Sequence, residues 1–214
     1  MATVADIDLD LTIKLAEVQG IFNNSRRLLA SRARLAQSGV LSNRQLGQSG
    51  IEAAFLQGEC AWEVFLENIV VALLCREPTL SGNPDPGYLA PTSEDVVRKM
   101  VLVGRPYCDW ASPAEALRRV QLFFPPEHRV LTAMSASSEK LNHADIVRNA
   151  IAHSSGTAQQ KFHSLCTTLL GSRTTRERPA DFLTATNMYE DVDGPTMFES
   201  YIQIWQSLRG ILVA

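Results

Sequence analysis

The chain has 214 residues, of which 45% are hydrophobic and 20% charged, with a net charge of −3. That is enough apolar material for a full core. It argues against a disordered chain and against a strongly basic protein that would hold nucleic acid through its overall field. No apolar run reaches the roughly 20 residues of a membrane span, and Met1–Asp10, with three aspartates and no basic residue, does not read as a secretory leader.

No Pro/Gly/Ser-rich linker divides the chain, so a single all-α domain is expected over residues 1–214, with a long N-terminal helix at 6–37 and a core at 46–214. Leu11, Leu15, Val18 and Phe22 step by four and three and mark the apolar stripe of the first helix. Its end is basic, with Arg26, Arg27, Arg32 and Arg34 suited to a helix C-terminus, and Gly39 follows as a stop. A second helix is predicted over Leu46–Cys75. Ile51, Phe55, Gly58, Trp62, Leu66, Ile69 and Leu73 share its stripe, and Gly58 would admit a close helix neighbour. Glu59, Glu63 and Glu67 form a row at steps of four, a like-charge arrangement that is mildly unfavourable. The row is either a solvated face or a source of one carboxylate, Glu63 for instance, that orients an arginine such as Arg148.

Glu77–Pro91 is proline- and glycine-rich and reads as a loop. Ser93 opens a short helix to about Val103. Ser112, with Pro113 and Glu115 behind it, opens another that ends before Pro125–Pro126. Asn142 is the expected cap of a helix reaching Ala152. Thr157 and Gln160 form a capping-box pattern for the next helix, whose face is Phe162, Leu165, Cys166 and Leu169 and whose stop is Gly171. The last helix is predicted over Pro195–Leu212, with Phe198, Tyr201, Trp205, Leu208 and Leu212 on its stripe. No sheet, internal repeat or low-complexity segment is expected. The cysteines, Cys60, Cys75, Cys108 and Cys166, form no C-x-x-C pair and read as reduced, mostly buried thiols of a cytoplasmic protein. The four histidines make no metal-ligating pattern with them, so no metal or other cofactor is expected.

The segment Arg148-Asn149-Ala150-Ile151-Ala152-His153-Ser154-Ser155-Gly156 carries the chemistry. It resembles the signature of the HEPN family, an arginine followed after four to six residues by a histidine, with a polar residue commonly next to the arginine; Asn149 matches that position. The pattern is short, but it sits between two capped helices in an otherwise helical chain. Pro179–Leu183 and the aromatic last helix are also similar to bacterial HEPN proteins, and the resemblance covers roughly Gln48–Leu212. It implies an all-α helical bundle and a metal-independent endoribonuclease, often a toxin or phage-defence effector. Such a protein binds RNA, works as a homodimer and has an antitoxin or other regulatory partner. The alternative within the same family is a non-catalytic module that binds a nucleotide or a partner.

The residue types suit that activity. RNA supplies its own nucleophile, the 2′-hydroxyl. Cleavage needs a base for that proton, an acid for the 5′-oxygen and a cation for the charge gathering on phosphorus. Histidine is the residue type suited to moving protons near neutral pH, so His153 can serve either proton role. Arg148 stays charged and matches phosphate bidentately. The bland alternatives are a surface histidine closing a helix and an arginine in a salt bridge or carbonyl cap. Residues five apart on an unbroken helix are rotated by about 140° and separated by about 7.5 Å of rise, so the two converge only if the helix breaks. Ser154-Ser155-Gly156 is the expected break, with Gly156 taking a left-handed conformation. Asn149 either caps a turn or holds a phosphate. Arg173 and Arg176, with Arg178, either hold RNA phosphates or line a solvated loop. His143 and His163 are expected at the surface and His128 in a structural or solvated role. Tyr107 and Trp110 are expected to pack under a loop, with base stacking as the alternative.

Overall fold

A computed structural model describes residues 2–30, 42–85, 87–89, 91, 93–171, 178–186 and 194–214. Over these residues the protein is all-α, as the stepping of its apolar residues predicts. The helices are α1 (Val4–Ala30), α2 (Asn43–Leu74), α3 (Glu94–Leu102), α4 (Pro113–Val120), α5 (Arg129–Ala136), α6 (Ser138–Ala152), α7 (Gly156–Leu170), α8 (Pro179–Thr184) and α9 (Met197–Val213). No strand occurs among the described residues; Pro78–Pro84 and Thr186–Thr196 form isolated antiparallel bridges. No helix among them is long and apolar enough to cross a membrane.

Three helices open on reciprocal side-chain caps, which satisfy backbone N–H groups the helix itself leaves without partners. Thr3 N–H donates to Asp6 Oδ2 at 3.0 Å while Asp6 N–H donates to Thr3 Oγ1 at 3.1 Å. Ser42 and Gln45 repeat the arrangement before α2, and Thr196 and Glu199 before α9. The Thr3 cap moves the start of α1 ahead of the predicted Asp6. The predicted last turns of that helix, with Arg32, Arg34 and Gly39, lie outside the described residues.

The stretch after Pro125–Pro126 departs most from expectation. A helix, α5, starts there on a histidine cap, and only Ser137 separates it from α6. Helix α6 therefore begins at Ser138, and Asn142 lies within it rather than capping it. Histidine is a rare cap, so the sequence gives little signal for this start.

The described residues group into two compact units, Met1–Ile13 with Cys60–Asn142 and Ile204–Ala214, and Lys14–Glu59 with His143–Gln203. The divisions fall inside α1, α2, α6 and α9 rather than in linkers.

In the first unit the run Ile69–Leu74 is fully buried. Arg98 of α3 reaches Glu67 and Asn68 of α2 at 2.9 and 3.0 Å. Buried Arg119 of α4 donates to the Leu102 carbonyl at 2.9 Å and to Glu115 at 2.7 Å, which ties α4 to the end of α3. Arg118 and Arg119 hold the Glu115 carboxyl well below the usual carboxylate range, at about 2. Arg209 of α9 pairs with Asp8 of α1 at 3.2 Å and donates to Thr12. The loop after α2 is pinned where Leu80 N–H meets the Val213 carbonyl at 2.8 Å and Tyr88 N–H meets the Phe123 carbonyl at 2.7 Å.

In the second unit Phe22 stacks on Phe198 with centroids 3.9 Å apart, and Phe55 sets its edge against Phe198 and Tyr201. Each such ring, fully buried, contributes about 1.5–3 kcal/mol. Close helix approaches are found at Gly47 and Gly50, where a Cβ would run into Ser25 and Leu29 of α1. Gln48 donates to Asp181 at 3.0 Å and fixes α8. Of the cysteines only Cys166 is buried; Cys75 and Cys108 are half-buried and Cys60 is exposed, so the expectation of mostly buried thiols fails.

Candidate active site

The Arg148–His153 segment occupies the end of α6 and the three-residue connection to α7. Helix α6 runs through Ala152, and His153 N–H still donates to the Asn149 carbonyl at 3.0 Å. The connection between the helices is therefore His153, Ser154 and Ser155, which overlaps the expected Ser154-Ser155-Gly156. On a regular helix, positions five apart are rotated by about 140°, and His153 is the first residue beyond α6.

The break is made differently from the expectation. Gly156 is the first residue of α7 and does not enter the left-handed region. Ser155 does the work. It is extended, with φ −68 and ψ 142, and its Oγ accepts the Ala158 N–H at 3.3 Å, so it caps α7 in place of the predicted Thr157. Gln159 closes the other side. Its Nε2 donates to the Ala150 carbonyl at 2.9 Å and to the His153 carbonyl at 3.3 Å, which satisfies groups that the end of α6 leaves open. One helix of sequence later, Gln159 has no signal that marks it as a partner of the motif.

Arg148 is half-buried and held from its own helix. Asn149 Oδ1 accepts from Arg148 Nη1 at 2.9 Å, and Asn149 Nδ2 donates to Asp145 Oδ1 at 2.8 Å. The amide has only one sensible orientation here. A flipped amide would set donor against guanidinium and acceptor against carboxylate. Asn149 is therefore a connector between Asp145 and Arg148 rather than a turn cap. Asp145 was missed in the sequence, although its i, i+4 spacing to Asn149 is the signal that finds it.

His153, Ser154, Ser155 and Gly156 are exposed, and the His153 imidazole makes no hydrogen bond among the described residues. An exposed imidazole can exchange protons, and a guanidinium held by a side-chain relay can attract a phosphate.

The carboxylate row on α2 is not a solvated face. Glu59 is 2% exposed, Glu63 is half-buried in the first unit, and Glu67 pairs with Arg98 at 2.9 Å. Burial pushes the Tyr201 hydroxyl well above its ordinary value, and Glu59 and Cys166 push it the same way. Arg173 and Arg176 lie outside the described residues. Arg178 is committed to α2, at 3.3 Å from both Gln48 and Glu52. His143 and His163 are half-buried; Trp110 is buried as expected, whereas Tyr107, expected to pack, stands 72% exposed. Tyr107 borders an open depression of about 400 Å³ with Arg105, Asp109 and Glu115. His128 is buried and structural, as the cap of α5. Among the described residues no group of three or more His, Cys, Asp or Glu is placed to hold a metal ion.

The sequence matches no protein-family model, and no curated protein and no solved structure matches it either.

Proposed function

We propose that this chain is a metal-independent endoribonuclease of the HEPN type, acting as a homodimer on RNA. The observation that carries this reading is the end of α6. There Arg148 is held through Asn149 by Asp145, while His153 stands exposed at a helix break braced by Ser155 and Gln159.

In this reading His153 takes the proton of the 2′-hydroxyl as its oxygen attacks phosphorus. The bond to the 5′-oxygen breaks, and a second imidazole protonates that leaving oxygen. Arg148 stabilises the charge on the pentacovalent phosphorus. The products are a 2′,3′-cyclic phosphate and a 5′-hydroxyl. One chain supplies one histidine in this motif. A two-fold dimer can bring in the second imidazole and set one copy's histidine against the other's arginine. A toxin or phage-defence effector, restrained by an antitoxin or regulatory partner, is the corresponding biology.

The test is purified full-length protein with total RNA in EDTA, with end-group analysis of the fragments. Fragments ending in 2′,3′-cyclic phosphate support the proposal. Intact RNA, with the protein folded and dimeric, rejects it in favour of a binding module. Cleavage that requires added magnesium keeps a nuclease and rejects this mechanism.

A further inference from the structure

The neutral imidazole of His128 has two jobs in the first unit. It is 6% exposed and sits at the N-cap of α5. Its Nδ1 accepts the Val130 N–H at 3.2 Å. A nitrogen that accepts carries no proton, so the neutral ring must hold its hydrogen on Nε2. Nε2 lies 3.0 Å from Asp85 Oδ1. That contact is close but poorly aligned, since Nε2 makes no well-formed hydrogen bond, so it acts mainly as an electrostatic attraction. Asp85 belongs to the loop after α2 and also pairs with Arg129 Nε. Arg129 in turn reaches the Ile211 carbonyl of α9 at 3.3 Å. The ring packs against Phe124, with centroids 4.3 Å apart. The charged groups that act on it are Asp85 from the loop and Arg129 from α5.

We propose that His128 is a proton-operated latch, whose neutral form caps α5 and fastens the loop at Asp85, and whose protonation opens the cap. The cation needs a hydrogen on Nδ1, which would then face the Val130 N–H, donor against donor. Protonation therefore forces the ring out of the cap whatever Asp85 contributes.

Burial lowers the affinity of His128 for a proton, Asp85 raises it and Arg129 lowers it, with a net result below the ordinary histidine value of 6.5. The unfolded chain thus binds this proton more readily than the folded one. The stability His128 contributes is complete above the unfolded value. It is lost as pH falls toward and through the lower folded value.

The experiment compares the full-length protein with His128→Asn, since asparagine caps helices and does not titrate. Thermal midpoints are measured from pH 8 to pH 5. Amide-exchange protection of Val130 and nitrogen-15 shifts of the His128 ring are followed in the parent over the same range. The expected result is that the parent loses a few degrees more than His128→Asn toward pH 5, with Val130 protection falling several-fold as the ring changes from its Nε2–H form to the cation. If the variant does not fold, the parent's ring and Val130 signals still decide. The latch is overturned by a ring that becomes cationic with Val130 protection unchanged, or by equal acid sensitivity in the two proteins.

Discussion

Two histidines mark helix ends in this protein, and they are placed in opposite ways. His128 opens α5, is 6% exposed, and has Nδ1 bonded to Val130 N–H and Nε2 beside Asp85. His153 follows the last residue of α6, is exposed, and has an imidazole with no hydrogen bond among the described residues, while its backbone is held at both N–H and carbonyl. The first is an acceptor built into the fold. The second is an exposed side chain on a fixed backbone. The same residue type thus serves structure where its nitrogens are engaged and suits chemistry where they face solvent.

The sharpest way to press this contrast is at Arg148. Arg148→Ala should lower RNA cleavage by about 10²–10³-fold, the effect of removing a preorganised charge from a transition state. Urea unfolding and circular dichroism should show the helical protein intact. Cleavage at the parental rate would detach Arg148 from the site.

At the other end of the comparison, His128→Ala should destabilise the protein by about 0.5–2 kcal/mol, the usual range for a lost helix cap. Cleavage per folded molecule should be unchanged. Urea unfolding at pH 7.5 measures the first and an RNA assay the second. A variant as stable as the parent would mean that the Val130 bond is worth little.

A smaller effect is expected at Gln159→Leu, which removes the amide that bonds the Ala150 and His153 carbonyls. The loss should be about 0.5–1.5 kcal/mol. Backbone nitrogen-15 relaxation should show residues 153–155 gaining motion. An unaltered connection would place its rigidity in Ser155 alone, and Ser155→Ala would then carry the larger cost.

The sequence shows why one histidine was legible and the other was not. His153 stands in a short motif beside Arg148 and Asn149, between helical patterns, and its exposure follows from a polar Ser-Ser-Gly neighbourhood. The all-α architecture and the stripes of α1, α2, α7 and α9 were equally readable, because three- and four-residue steps are a direct imprint of helix geometry. His128 meets Asp85, forty-three residues earlier, and such a contact leaves no local periodicity. For the same reason Gln159 was invisible, and so were the close approaches of Gly47 and Gly50 to Ser25. The left-handed role expected of Gly156 failed because a serine cap, Ser155, was available one residue earlier and sets the start of α7 without it.

The central claim is that His153 moves the proton in RNA cleavage. It is tested most directly by comparing the parent and His153→Ala on the same RNA in EDTA, after both are shown to be folded and to have the same oligomeric state. The account predicts a loss of about 10²–10⁴-fold in cleavage rate, with stability within about 0.5 kcal/mol of the parent, as expected for an exposed side chain. Equal cleavage by the two proteins would contradict it.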